Sequence, residues 1–384
     1  MIARAPYLFL LLILIPDLYL DLHYWRHKYA TGNRLLHWLP SILLTVLTVK
    51  LTYEKDFIPD DPTLLYIYLL LLGLIAIPKL VYVLFSILGL GTCKLFHSKR
   101  NYGNLIGATL VPLIWYVIIY GSFVGFQKLE VNRHTYSSPD LPPAFDNYKI
   151  VLFSDAHVGT LKGSRQWMLQ RAVDSINALH PDMIVFTGDL QNLQPKELYK
   201  QMDILSTLKA KDGIYSVLGN HDYAQYVSCS DAEKAANCKE IISLERQLGW
   251  TVLLNEHKVI QRGKDHIVIA GMENDGDGKH FPQKGDISKT LSGTQGFILL
   301  LEHDPSSWRR KIIPDGRAQL TLSGHTHRMQ FALFGWCPMS LTGQEFNGWY
   351  HEGSQSLFVT AGLGGLIPFR FDAPGEIVEI QLKR

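Results

Sequence analysis

The chain has 384 residues, 47 % of them hydrophobic, and is long enough for more than one domain. Its 37 basic residues nearly balance 35 acidic ones, a net charge of +2, so overall charge gives no ground for nucleic-acid binding. The apolar residues are uneven: long Leu/Ile/Val/Tyr runs dominate before about residue 127, and the rest reads as a soluble α/β protein.

A helix that spans a bilayer needs roughly 20 mostly apolar residues. Residues 36–53, 64–90 and 105–126 meet that standard. Residues 7–22 are fewer and carry Pro16, Asp17 and Asp21, which leaves room for a signal-peptide core. No small-residue cleavage site follows, however, and His23-Tyr24-Trp25-Arg26 has the makeup of an interfacial belt, so four spans are expected. Loop one carries Arg26, Lys28 and Arg34, and loop three Lys94, Lys99 and Arg100. Loop two sets Glu54, Asp56, Asp60 and Asp61 against one lysine. The positive-inside rule puts loops one and three in the cytoplasm and the C-terminal part on the outer face of the cytoplasmic membrane. Asp17, Asp21, Lys50 and Lys79 fall within spans and serve as anchors and packing groups or, on a sharper reading, a lipid headgroup site.

Residues 128–147, with Ser137-Ser138-Pro139-Asp140-Leu141-Pro142-Pro143, read as a stiff linker between a transmembrane region over 1–127 and a second domain over 148–384. Cys229 and Cys238 bracket a short polar stretch, either a stapled loop in an oxidising compartment or two unrelated thiols. From Tyr148 a pattern repeats: an apolar β-rich run, a polar cluster, then a helical stretch. The clusters are Ser154-Asp155-Ala156-His157, Thr187-Gly188-Asp189, Gly219-Asn220-His221-Asp222, Glu302-His303-Asp304 and Gly324-His325-Thr326-His327. Strands alternating with helices indicate α/β architecture, in which ligands gather at the carboxyl ends of strands. Each cluster falls at such an end.

Alone, His325-Thr326-His327 is either a chelating pair or part of a solvated loop. Five clusters in register make a metal site the stronger reading. Oxygen and imidazole donors without thiolate suit Mn, Fe or Zn, and the donors outnumber what one ion takes. A carboxylate such as Asp189 can bridge two ions, the arrangement that serves in-line displacement at phosphorus.

The five clusters resemble, in order and spacing, the calcineurin-like metallophosphoesterases, and the multi-span region ahead of them resembles that family's membrane-bound bacterial branch. The tail Thr360-Ala361-Gly362-Leu363-Gly364 with Pro368-Phe369-Arg370 is similar to that branch as well. The resemblance implies a four-layer α/β/β/α sandwich after about four transmembrane helices. It also implies a pair of divalent cations, one held by Asp155, His157 and His327 and the other by Asn220, His303 and His325, with Asp189 between. His221 would touch the substrate as the catalytic group. Two positions depart from the family pattern. Asn192 stands where relatives often have an acid that orients the catalytic histidine, and Arg328 stands where many have a small residue. Both are candidate substrate contacts, Arg328 as a clamp on a second phosphate or headgroup. The expected activity is hydrolysis of a phosphoester, possible substrates being lipid-linked, envelope or soluble. The rivals are a lipid-precursor pyrophosphatase, a transporter or lipid-binding protein with a regulatory soluble domain, and a metal-binding pseudoenzyme.

Overall fold

The computed structural model describes residues 5–54, 56 and 61–384; Lys55 and Asp60 of the second loop lie outside the described residues. The chain divides into two compact units, the second beginning at Gly125.

Among the described residues the first unit has four α-helices: α1 (Ala5–Leu20), continued by a π-helical segment Asp21–Trp25, α2 (Thr31–Leu51), α3 (Thr63–Leu95) and α4 (Tyr102–Phe123). All four are long and apolar enough to cross a membrane, the first over Pro6–Trp25. Ile13, Leu44, Tyr68 and Leu72 pack inside the unit, while many Leu and Ile side chains face outward as bilayer-facing helices require. Helices α3 and α4 cross closely at Gly89 and Gly103, where a Cβ on Gly103 would lie 2.9 Å from the Gly89 Cα. Three of the four charged groups expected within the spans are paired. Asp17 meets Lys79 Nζ at 2.6 Å and His37 Nε2 at 3.0 Å, and Asp21 takes both arms of Arg34 at 2.7 and 2.6 Å. Lys50 is exposed in the last turn of α2.

The second unit is built on two six-stranded sheets. The strands are β1 (Leu129–Ser137), β2 (Lys149–Phe153), β3 (Met183–Phe186), β4 (Ile214–Ser216), β5 (Thr251–Val252), β6 (Glu256–Arg262), β7 (Asp265–Gly271), β8 (Ile298–Leu301), β9 (Leu320–Ser323), β10 (Gly348–Glu352), β11 (Gln355–Val359) and β12 (Gly375–Lys383). One sheet runs β1-β12-β2-β3-β4-β5 and the other β10-β11-β9-β8-β7-β6. Strand periodicity explains the layers, because successive side chains point to opposite faces. Ile150 and Leu152 of β2, Met183 and Val185 of β3, and Leu299 and Leu301 of β8 share the core between the sheets. Their neighbours Val151, Phe153, Ile184 and Phe186 pack outward with Leu169 and Ile176 of α5 (Gln166–Ala178). On the other sheet Ile298 and Leu300 pack outward with Trp308 and Ile312. The result is the four-layer α/β/β/α sandwich.

The expected linker over 128–147 is largely structured. Its first half is β1, the edge strand, paired in parallel with β12 from Leu129↔Gly375 to Ser137↔Lys383. Tyr136, Leu141 and Phe145 are buried in the core between the sheets. The prolines that suggest a stiff linker follow this strand, and the strand's own alternation is masked by polar residues on its exposed face. Cys229 and Cys238 are free thiols rather than a staple. Ser230 caps a helix, α6 (Asp231–Gln247), so Cys238 lies about 12 Å along its axis, beyond the ~7 Å that a disulfide's Cα atoms allow.

Candidate metal centre

Both sheets deliver polar loops from the carboxyl ends of parallel strands. Asp155 and His157 follow β2, Asp189 follows β3, Asn220 and His221 follow β4, His303 follows β8, and His325 and His327 follow β9. One set of donor atoms, from Asp155, His157, Asp189 and His327, lies within 4.8 Å of one another; a second, from Asp189, His303 and His325, does the same. In the first, His157 Nε2 is 3.2 Å from His327 Nε2 and 3.7 Å from Asp189 Oδ2, and His327 Nε2 is 3.4 Å from Asp155 Oδ1. In the second, His303 Nε2 stands 3.4 Å from Asp189 Oδ2 and 3.2 Å from His325 Nδ1. Asn220 Oδ1 joins it, 3.0 Å from His303 Nε2 and 2.8 Å from His325 Nδ1. Asp189 belongs to both sets.

Hydrogen bonding shows what this pocket is short of. His303 donates from Nδ1 to the Thr187 carbonyl at 2.6 Å, so in the neutral ring Nε2 carries a lone pair. Asn220 donates from Nδ2 to Tyr226 Oη at 2.8 Å, which turns its Oδ1 toward that same lone pair. Two acceptors 3.0 Å apart in a buried site need a positive charge between or upon them. The electrostatics agree. Burial opposes charge on His303, yet the Asp189 and Asp155 carboxylates hold its pKa well above the usual imidazole range. Burial and the charge of His221 bring His157 down to about 3, and burial and His157 hold His327 well below its usual value. Both rings therefore stay neutral, the form that binds metals. Mixed oxygen and nitrogen donors without thiolate, clustered around an electron-rich gap, fit divalent cations.

The backbone is unusual at these positions. Asp155 (φ 52°), His157 (43°), Asp189 (60°), His325 (74°) and His327 (50°) all adopt left-handed conformations that non-glycine residues avoid, at a cost of ~1 kcal/mol or more each. The strain aims both side chain and backbone: the His325 N–H donates to the Asp155 carboxylate at 3.1 and 3.2 Å. Glycines make space. A Cβ on Gly324 would collide with Ser154 Oγ and Asp155 Oδ2.

His221 is half-buried. Its N–H donates to Asp189 Oδ1 at 2.8 Å, and its Nδ1 donates to the main-chain carbonyl of Asn192 at 2.5 Å. The Asn192 side chain does not orient it; that amide donates to Thr160 Oγ1 at 2.7 Å and is buried. Arg328 turns its guanidinium to the Gly335 carbonyl at 3.1 Å.

Sequence reasoning passed over several supports. Asp222 accepts N–H bonds from Gly219, Asp189, Leu190 and Gln191 at 2.8–3.3 Å and ties the β3 and β4 loops together. Burial and the Asp189 carboxylate push its pKa up to about 7, against the pull of those donors. Asp304 Oδ2 lies 3.5 Å from His325 Nε2. Arg370 is fully buried and donates to the carbonyls of Ala361, Gly362 and Gly364, bracing the loop whose Gly364 N–H holds the Asp155 carbonyl at 2.8 Å. The signal was present for all three: Asp222 and Asp304 end recognised clusters, and Arg370 ends the Pro-Phe-Arg tail.

Two facing mixed sheets with metal-competent clusters at their strand ends define a metallophosphoesterase fold. The family model for the calcineurin-like phosphoesterase matches residues 148–329, and that for the probable calcineurin-like phosphoesterase transmembrane domain matches residues 2–126. A transmembrane protein with metallophosphoesterase domain from Danio rerio is 31 % identical over 69 % of this chain, which spans 60 % of that relative's length. The metallophosphoesterase YkuE of Bacillus subtilis is 31 % identical over 69 % of this chain and 89 % of its own. A phosphopantetheinyl hydrolase structure from Mycobacterium tuberculosis is a distant likeness, with TM-score 0.36, 10 % identity, and coverage of 58 % of this chain and 91 % of that one. The chain belongs to the calcineurin-like metallophosphoesterases and is an integral membrane protein.

Proposed function

We propose that the chain is a membrane-anchored, dinuclear phosphoesterase that works on a lipid-linked phosphoester at the outer face of the cytoplasmic membrane. The observation that carries the phosphoesterase reading is the pair of donor sets sharing Asp189. Asp155, His157 and His327 would hold one divalent cation and Asn220, His303 and His325 the other. When bound there, two such ions supply Lewis acidity toward water and the phosphoryl oxygens. The protein's own groups do the rest. His221, anchored through Nδ1 to the Asn192 carbonyl, keeps Nε2 for moving a proton to the leaving oxygen. Asp189 fixes the His221 backbone and so sets that ring's distance from the donor sets.

The lipid-linked reading draws on exposed apolar residues that follow the last donor in the chain. Directly after His327 come the exposed side chains Met329, Leu333, Phe334 (95 % exposed) and Trp336. Such a patch matches the tail of an amphiphilic substrate, and tethering raises the effective concentration of membrane-borne ones. The outward orientation rests on the charge asymmetry of the loops.

The test is the purified full chain, reconstituted separately with Mn²⁺, Fe²⁺ and Zn²⁺ and assayed on an aryl phosphodiester, a phosphomonoester and a lipid diphosphate. His221→Ala is expected to lower turnover by about 10²- to 10⁴-fold while bound metal, measured by elemental analysis, stays unchanged. Undiminished hydrolysis by that variant would overturn the assignment. A lipid diphosphate cleaved no faster than the soluble substrates would overturn the lipid-linked reading. A C-terminal reporter active only in the cytoplasm would reverse the orientation.

A further inference from the structure

The helical unit contains a cavity of about 650 Å³, of the size that holds a small-molecule ligand. Two of its lining side chains are charged, and both are lysines, Lys28 and Lys79. Lys79 lies midway along α3, about 24 Å from either end, where an ammonium is expensive to keep. Its Nζ forms an ion pair with Asp17 at 2.6 Å and donates to Ser41 Oγ at 3.0 Å, and the side chain lines the cavity. Lys28 is exposed at the interfacial end, beside Tyr24 and Trp25. The remaining wall is largely apolar, with Leu20, Leu74, Ile75 and Val111.

The backbone is shaped for this space. Helix α1 widens into the π-segment Asp21–Trp25 just where Tyr24 and Trp25 turn to the cavity, and π-turns recur at functional sites. Tyr24 is held there by bonds to Ser86 Oγ at 2.6 Å and Asn104 Oδ1 at 2.9 Å. Asp21 below it is locked by Arg34.

We infer that this cavity binds an anionic phospholipid, its phosphate engaged by Lys28 and Lys79 and its acyl chain laid along the apolar wall. The charge favours an anionic head: Asp17 behind the wall offsets Lys79, while Lys28 stands exposed in a lining that has no carboxylate among the described residues. The apolar wall and its place inside a membrane-spanning unit decide the tail. The site belongs to the helical unit and is independent of the phosphoesterase centre.

The test uses the full chain in nanodiscs of phosphatidylcholine containing a minor fraction of phosphatidylglycerol, read by native mass spectrometry for lipid that stays bound. The wild type is expected to retain one phosphatidylglycerol in preference to phosphatidylcholine. Val111→Trp, which fills the cavity without touching a charge, and Lys28→Gln, at an exposed position, should each cut that retention about fivefold or more. A third variant joins Asp17→Asn to Lys79→Met, so that no carboxylate is left unpaired, and should show the same loss. Equal retention of phosphatidylcholine, or undiminished phosphatidylglycerol on Val111→Trp, would overturn the proposal. So would inorganic phosphate raising the melting temperature in phosphatidylcholine nanodiscs as much as phosphatidylglycerol does, since the site would then serve a free anion.

Discussion

Single residues show where burial works against charge. Glu245 of α6 is fully buried, with Ser216 Oγ donating to its Oε2 at 2.5 Å, and burial pushes its pKa well above the usual carboxylate range. A raised folded-state pKa means the native protein holds a proton that the unfolded chain has released. The stability this gives is fully present below about pH 4.3 and is lost as pH rises toward the folded value, at about 1.4 kcal/mol per pH unit. Glu245→Gln keeps the shape and removes the titration. It is expected to melt higher than wild type at pH 8, with the gap closing by pH 4; a pH-independent difference in thermal unfolding would refute this account. In the metal centre the residue types were legible from the sequence, since every donor stands in one of five recognisable clusters. Their tautomers were not, because the proton on His303 Nδ1 is set by Thr187, more than a hundred residues away.

At the scale of elements, the strand ends and the edge strand matter most. Gly324→Ala would push a Cβ into Ser154 and Asp155 at the meeting of the β2 and β9 loops. Hydrolysis should fall by about 10²-fold or more, the scale on which a misplacement of about 1 Å acts, while far-ultraviolet circular dichroism stays native. β1 makes a complementary prediction. Tyr136 is buried in the core between the sheets, stacks on Trp349 and donates to the Gln319 carbonyl at 3.0 Å. Tyr136→Ala should therefore cost about 3 kcal/mol in chemical denaturation, where a residue in a solvated linker would cost less than about 0.5 kcal/mol. The helical elements were legible because length and hydropathy alone specify them. β1 was not, because its polar outer face hides the alternation and its partner β12 lies at the other end of the chain.

For the whole molecule, the two sheets converge on one cluster of donors whose buried carboxylates, Asp155 and Asp189, are poorly tolerated together without positive charge. Cations that bind the folded state and not the unfolded one stabilise it by mass action, by about 2.7 kcal/mol at a hundredfold excess over Kd. Chelation should accordingly lower the melting temperature of the full chain by several degrees, and Mn²⁺ or Zn²⁺ should restore it. An unchanged melting curve would mean that the donor sets hold no stabilising ion.

The membrane helices, the alternation of strands and helices, and the identity of the candidate donors were legible in the residues alone, because hydropathy, periodicity and ligand chemistry are local properties. The folded chain adds that Asp189 stands in both donor sets, and that the Asn192 backbone rather than its amide holds His221. It alone set Asp17 against Lys79 beside a cavity and made residues 129–137 the edge of a sheet. Each of these depends on groups far apart in the chain meeting at a few ångströms, and no local pattern records which distant partners will meet.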